Sequence, residues 1–335
     1  MRALTGIRPT GDLTVANYVG AIEPMAALQD TFEGPINAFV ADIHALTDQE
    51  PDVINRTRLD TVRAFMAGGV SPTRSILYLQ SQIGAQTQEL AGVLDRHMSM
   101  MELLRVPNLK DKIKEGDRTE TASVALARYP ILMAADIIIE DATHVPVGQD
   151  QLPHIEVTRK LARRFNTAYG GGEEILVVPE HLAAESIKIA ALNGDPKMSK
   201  SRPRGAIFLN DTPDDVHRKV RRAHGAEPGE MNDVLASHYL LCERLARTPQ
   251  DIAELDAVKR DHMDGQPVMG RFKEIMGGIV TSFLVDYQDK FSSISDAQVK
   301  QVLRDGGEQA RDKADEVLHR VRSSMNFVPD TFLYQ

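Results

Sequence analysis

An α/β architecture, a doubly wound parallel sheet followed by a C-terminal helical domain, is the fold class this sequence predicts. Three observations predict it. From Leu4 to about Asp211, short apolar runs that read as buried strands alternate with helical periodicities, the pattern of a parallel sheet covered on both faces. Beyond Asp211 the strand signals fade and helical periods dominate, through VHRKVRRAH (216–224) and AELDAVKRDH (253–262), as in a helical unit with short connections. The chain of 335 residues, 42% hydrophobic and 26% charged, is long enough for two domains and has ordinary globular composition. The expected division is 1–210, carrying a helical insertion at about 84–123, then 211–295, then a helical segment 296–335 packing back on the first domain.

Bulk properties remove several function classes. Met1 leads directly into the first strand, so no secretory leader is expected. No apolar run approaches the ~20 residues that span a bilayer, so a cytoplasmic protein without a membrane partner is expected. The single cysteine, Cys242, excludes an intramolecular disulfide framework and a cysteine-rich zinc site. It lies in an apolar helical pattern, HYLLCERL, and reads as a small buried hydrophobe. A net charge of −9 argues against indiscriminate polyanion binding, DNA included, and leaves room for a local basic patch. No repeat is visible at solenoid periods.

The chain begins with a strand, a sharp loop carrying Gly6, Pro9 and Gly11, and a helix from about Val15: LTGIRPTGDLTVANYVGA (4–21). A helix start at the carboxyl end of such a strand offers free backbone N–H groups to anions. Thr14 and Asn17 place short polar side chains there. Neither GxGxxG nor GxxxxGK[ST] occurs in the stretch, and on residues alone a well-capped helix behind a turn explains it as well as a phosphate site does. INAFVADIHAL (36–46) reads as a buried strand ending in polar Asp42 and His44; 51–69 reads as a helix ending at Gly68-Gly69; SILYLQSQ (75–82) is the next strand.

From Gln86 to about Lys114 the pattern is helical and methionine-rich, with Met98, Met100 and Met101 read as adaptable packing. PNLKDKIKEGDRTETAS (107–123) lacks a period and reads as a mobile loop, either solvated or brought near phosphates by Lys110, Lys112 and Lys114. The run 124–141 is strongly apolar around Asp136, a placement that is costly unless something pairs with the carboxylate. HVPVGQDQ (144–151) is a strand with a glycine turn, and 152–166 an amphipathic helix with a basic face. Further on, Lys197-Met198-Ser199-Lys200-Ser201 sets two ammonium groups three residues apart behind Gly194, Asp195 and Pro196. Such groups stabilise charge building on a leaving pyrophosphate, and a mobile loop can close when nucleotide binds.

These residues resemble the class I aminoacyl-tRNA synthetases and, within them, the tryptophanyl-tRNA synthetase family. Thr14-Val15-Ala16-Asn17 stands in place of the HIGH element in its TxGN form, and Lys197 to Ser201 matches KMSKS. GIRPTG (6–11), ADIHALT (41–47), YPILMAADI (129–137) and VPVGQDQ (145–151) resemble successive family blocks in order. The resemblance covers Leu4 to about Ala223 and implies a Rossmann-type sheet. It also implies activation of L-tryptophan with ATP and Mg²⁺ to the adenylate and pyrophosphate, then transfer to tRNA(Trp) by a homodimer whose helical domain reads the anticodon.

The resemblance assigns residues by position. For ATP they are Arg8, Thr10, Gly11, Thr14, Ala16, Asn17, Gly148, Asp150, Ile189, Lys197, Met198, Ser199 and Lys200, with Lys197, Lys200, Thr14 and Asn17 catalytic. For tryptophan they are Leu4, Gly6, Arg8, His44, Tyr129, Met133, Asp136, Val147 and Gln151, with Asp136 taking the indole N–H, and no protein-held metal site is implied. As bare residues, the competing readings are a helix-end or ion-pair carboxylate for Asp136, a strand-end histidine for His44 and plain core for Met133. Three positions depart from the family: Ala16 for glycine under the adenine, Arg8 for glutamine and Gln149 for glutamate. Candidate tRNA contacts are Arg218, Lys219, Arg221 and Arg222, with Arg163 and Arg164, although a charged run is commonly just a solvated helix face. The alternatives are a tyrosyl-specific relative, a paralogue that donates the adenylate elsewhere, and a tryptophan-sensing binding protein.

Overall fold

The computed structural model describes residues 1–327 except 48, 108, 110–122, 149–150 and 184–186. The loop lysines 110, 112 and 114, Gln149, Asp150 and the last eight residues lie outside the described residues.

β1 (Ala3–Ile7), β2 (Ile36–Val40), β3 (Ser75–Leu79), β4 (His144–Val147) and β5 (Glu180–Ala183) form one sheet in the order β3-β2-β1-β4-β5, every neighbouring pair parallel. Successive side chains of a strand face opposite layers. Ala3, Ile36, Ala38, Val40, Leu77 and Leu79 therefore enter one hydrophobic cluster, while Leu4, Phe39 and Tyr78 enter the other. The first layer holds α1 (Val15–Asn17), a π turn over Tyr18–Ile22, α2 (Glu23–Thr31) and α4 (Pro51–Ala67). The second holds α5 (Gly84–Leu94), α7 (Val124–Ile138) and α8 (Leu152–Tyr169). α7 is helical despite Pro130 in its interior, because it is apolar on nearly every side and capped by Ser123, whose Oγ accepts from Leu126 N at 3.1 Å.

Several elements end sooner than their apolar runs. β2 stops at Val40, and Asp42 and His44 sit on a one-turn helix, α3 (Asp42–Ala45). β3 stops at Leu79 and passes into a 3₁₀ turn over Gln80–Ile83. The stretch expected to be helical from Gln86 is broken by a 3₁₀ turn at Asp95–His97 before α6 (Met100–Leu103). In the first two cases an apolar run continues through a change of backbone, which hydrophobicity alone does not register, whereas the turn at Asp95–His97 buries none of its residues.

The helices α9 (Pro213–Arg221), α10 (Asp233–Leu245), α11 (Pro249–Met263) and α12 (Met269–Ser293) pack on the α1–α2 side. Tyr18 meets Phe283 at 4.6 Å between ring centroids. α13 (Asp296–Ser324) lies along edge strand β3 and joins both layers: Val299 and Leu303 belong to one cluster, Ala310 through Val321 to the other.

Candidate active site

β1 and β4 flank the point where the strand order reverses, the place where open α/β sheets bind ligands. Their register pair is Ala3↔His144. Beyond it lies a cavity of about 840 Å³, bounded by both strands, by α7 and α8 on one face and by α2 on the other. The β1 residues Leu4 and Gly6, Arg8 after them, and His44 of α3 line it. So do Tyr129, Met133 and Asp136, which recur along one face of α7 at helical spacing, and Val147 and Gln151 around Gly148. All nine positions assigned to tryptophan thus share one space.

Asp136 is buried, 4% exposed. Both its carboxylate oxygens accept from Gln80 Nε2, at 2.7 and 2.8 Å, and His44 Nδ1 stands 3.9 Å from Oδ2. Burial pushes its pKa up to about 8; the Gln80 bond opposes that shift and the charge of Asp42 adds to it. The Tyr129 hydroxyl and His154 Nε2 lie within hydrogen-bonding distance at 3.2 Å, and burial raises the Tyr129 pKa to about 12. Gln80 and His154 carry no sequence signal of their role: one ends a strand run, the other is a buried position of an amphipathic helix.

The residues assigned to ATP cluster differently. Arg8 and Gly148 line the cavity, whereas Thr14, Ala16 and Asn17 belong to the start of α1. Thr14 is 1% exposed and caps α1: its Oγ1 accepts from Asn17 N at 3.3 Å and donates to Asn17 Oδ1 at 3.1 Å. Half-buried Ala16 packs against the core. The start of α1 is tied through the backbone to the segment just beyond the lysine loop, since Val15 N donates to Ile207 O (3.0 Å) and Leu209 N to Leu13 O (2.8 Å).

The lysine loop lies beside the glycine loop. Lys200 Nζ donates to Thr10 Oγ1 at 3.0 Å and to Gly11 O at 3.2 Å. Gly11 has φ +96°, which a side chain would strain. Burial lowers the Lys200 pKa to about 8, with Asp12 opposing that shift and Arg8 adding to it; an arriving phosphate would favour the charged form further. Lys197 is exposed, Ser199 Oγ lies 2.8 Å from Ser201 Oγ, and buried Met198 is anchored by its N–H to Ile189 O at 2.7 Å. Cys242 is fully buried and burial raises its thiol pKa, which leaves it inert. Among the described residues no group of three or more His, Cys, Asp or Glu could hold a metal ion, and no helix is long and apolar enough to cross a membrane.

A family model described as tRNA synthetases class I (W and Y) matches residues 1–272. The chain belongs to that family. This synthetase is 34% identical over 343 residues to the tryptophan–tRNA ligase of Helicobacter pylori strain J99, covering 98% of this chain and 99% of the relative. Its fold matches the tryptophanyl-tRNA synthetase of Campylobacter jejuni complexed with ADP and tryptophan, with TM-score 0.81 and 27% identity over 97% of this chain and 100% of that one. The tryptophanyl-tRNA synthetase of Mycoplasma pneumoniae matches with TM-score 0.84 and 27% identity, covering 97% of each chain. The synthetase fold and its α/β sheet are therefore those the sequence predicts.

Proposed function

We propose that this chain is a tryptophan–tRNA ligase that activates L-tryptophan with ATP and transfers it to tRNA(Trp). The observation that carries the choice of amino acid is the buried Asp136 carboxylate in a largely apolar cavity between α7 and β1. An indole needs one acceptor and a flat apolar slot. Asp136 takes its N–H, Met133 and Tyr129 border the ring, and Gln151 and Arg8 hold the amino-acid end. A pocket built around one donor rejects rings that lack it by roughly 10⁴-fold or more in favourable cases.

In activation a carboxylate oxygen of tryptophan attacks the α-phosphorus of ATP, and the bond to pyrophosphate breaks. Lys197 and Lys200 stabilise the charge gathering on that leaving group, while Thr10, Gly11 and the start of α1 border the phosphates. Mg²⁺ arrives with the nucleotide and supplies charge neutralisation. In transfer, a terminal ribose hydroxyl of the tRNA attacks the activated carbonyl and AMP leaves.

Residues 1–210 supply this chemistry, 211–295 meet the anticodon, and α13 at the start of the segment from 296 braces the sheet. The working unit is a cytoplasmic homodimer; the homodimer is supported by the large apolar side chains of Leu46, Met100, Met101 and Val124, which the single chain leaves exposed. The test is tryptophan-dependent exchange of pyrophosphate into ATP, run beside tyrosine, then charging of tRNA in the same preparation. Exchange with tryptophan together with charging is the expected result. Exchange without charging identifies an adenylate donor, exchange with tyrosine moves Asp136 to a phenol, and no exchange leaves a binding protein.

A further inference from the structure

Gln80 is 1% exposed and opens the 3₁₀ turn after β3. Its side chain is held from both ends. Oε1 accepts from the backbone N–H of His44 at 2.9 Å, and Nε2 donates to Asp136 Oδ1 and Oδ2 at 2.7 and 2.8 Å. The His44 N–H can only donate, so the amide cannot flip, and its NH₂ group must face the carboxylate. The next residue repeats the stitch: Ser81 N and Oγ donate to Asp42 at 2.9 and 2.5 Å. The ends of β2 and β3 are thus clasped together under the cavity.

We propose that Gln80 is the positioning residue for substrate selection, fixing Asp136 as a hydrogen-bond acceptor presented to the indole N–H. This rests on the tryptophan reading above and adds to it the residue that makes the carboxylate work. A buried carboxyl with no donor takes up a proton more readily, which turns one of its two oxygens into a donor and leaves a weaker, neutral acceptor for an N–H. Two contacts from one amide nitrogen favour the charged form and set its plane, and each oxygen keeps a lone pair for the ligand.

The pH dependence follows with a definite sign. With its pKa at about 8, Asp136 accepts better as pH rises through that value. The charged or titratable groups acting on it are Asp42 and His44 on α3 and Tyr78 on β3, while Tyr129 on α7, His154 on α8 and Arg8 beyond β1 line the same cavity. Since the His44 imidazole stands 3.9 Å from the carboxylate, the variant is compared with the unsubstituted enzyme at each pH.

The experiment measures kcat/KM in pyrophosphate exchange for L-tryptophan and for its isostere 3-(3-benzothienyl)-L-alanine, in which sulfur replaces the indole N–H, in the full chain and in Gln80→Met. The expected result is a loss of at least ~10-fold for tryptophan and less than ~2-fold for the isostere, so that the ratio collapses, with the tryptophan inflection moved above its original pH. Equal losses on both substrates with an unmoved inflection would mean a purely structural role and overturn the inference. Should Gln80→Met fail to fold, Gln80→Glu retains the acceptor for His44 N–H while setting a second carboxyl beside Asp136; the same collapse of the ratio is expected, and an intact ratio overturns the proposal. Absence of tryptophan-dependent exchange in the unsubstituted protein overturns the functional reading and the inference with it. Tryptophan exchange with an unchanged ratio overturns the inference alone.

Discussion

Asp136 in the last turn of α7 and Glu140 just beyond the helix are both driven towards the neutral form by burial. Glu140 is wholly buried; its Oε2 accepts from Asn37 Nδ2 at 2.6 Å and stands 3.7 Å from Arg2 Nη1. Burial raises its pKa to about 8 against a reference of 4.5, with Arg2, Lys313 and a Tyr78 hydrogen bond opposing the shift. A carboxyl whose folded pKa is raised contributes full stability below its unfolded value and loses it as pH climbs to the folded one. Glu140→Gln does not titrate. The melting temperature of the variant relative to the unsubstituted protein should therefore rise between about pH 4.5 and 8, by at least ~2 °C, and stay level on either side. Melts at pH 5, 6.5 and 8.5 test this, and a difference that does not change with pH refutes it. At this scale Asp136 was legible because a carboxylate inside VALARYPILMAADIIIED stands out against its neighbours. Gln80, which completes it, was not: one polar residue at a strand end has no period, and its partner is 56 residues away.

Among the elements, α13 shows most clearly what a one-dimensional reading loses. Its helical period was plain, but nothing in the period said which surface it covers. The answer lies in Gly306 and Gly307, where a built Cβ would meet Leu77 O at 2.0 Å and Gln82 Nε2 at 2.1 Å. There the helix comes against the outer edge of the sheet, and Gln82 Nε2 donates to Leu303 O at 2.7 Å. An edge strand so covered cannot pair with another chain. Because the obstructing atom at Gly306 is backbone, Gly306→Ala must push α13 off β3 and should destabilise the protein by about 1–3 kcal/mol. Gly278→Ala in α12, whose Cβ would meet nothing within 4 Å, should instead stabilise by roughly 0.5–1 kcal/mol. Denaturant unfolding of both variants is the check, and equal effects would remove the close-approach argument. Strand ends were misread for a related reason: Asp42, His44 and Gln80 extend apolar runs whose backbone has already turned.

For the whole molecule, the two signature stretches nearly 200 residues apart were legible because each carries its own chemistry, whereas the strand order β3-β2-β1-β4-β5 follows from long-range pairing that no local pattern records. Charge is where the whole-chain figure misleads. A net charge of −9 predicts poor binding to any polyanion, so a tRNA substrate requires local cations not already spent on neighbours. The fold separates the basic candidates in that respect. Arg218 pairs with Asp215, Lys219 with Asp211 at 2.6 Å, and Arg164 with Glu102 at 2.8 Å. Arg221, Arg222 and Arg163 are exposed and have no ion pair among the described residues. Removing a cation that faces phosphate weakens binding and lowers its salt slope by about one per contact, whereas removing a compensated cation also frees an acidic neighbour and alters the local field less simply. Arg221→Ala/Arg222→Ala should therefore raise KM for tRNA by roughly 10-fold or more and flatten its dependence on salt, with tryptophan-dependent pyrophosphate exchange, which needs no tRNA, as the internal control. If charging by this double variant keeps its KM and its salt slope, α9 does not face the tRNA, and the acidic whole must meet its substrate through Arg163 on α8 instead.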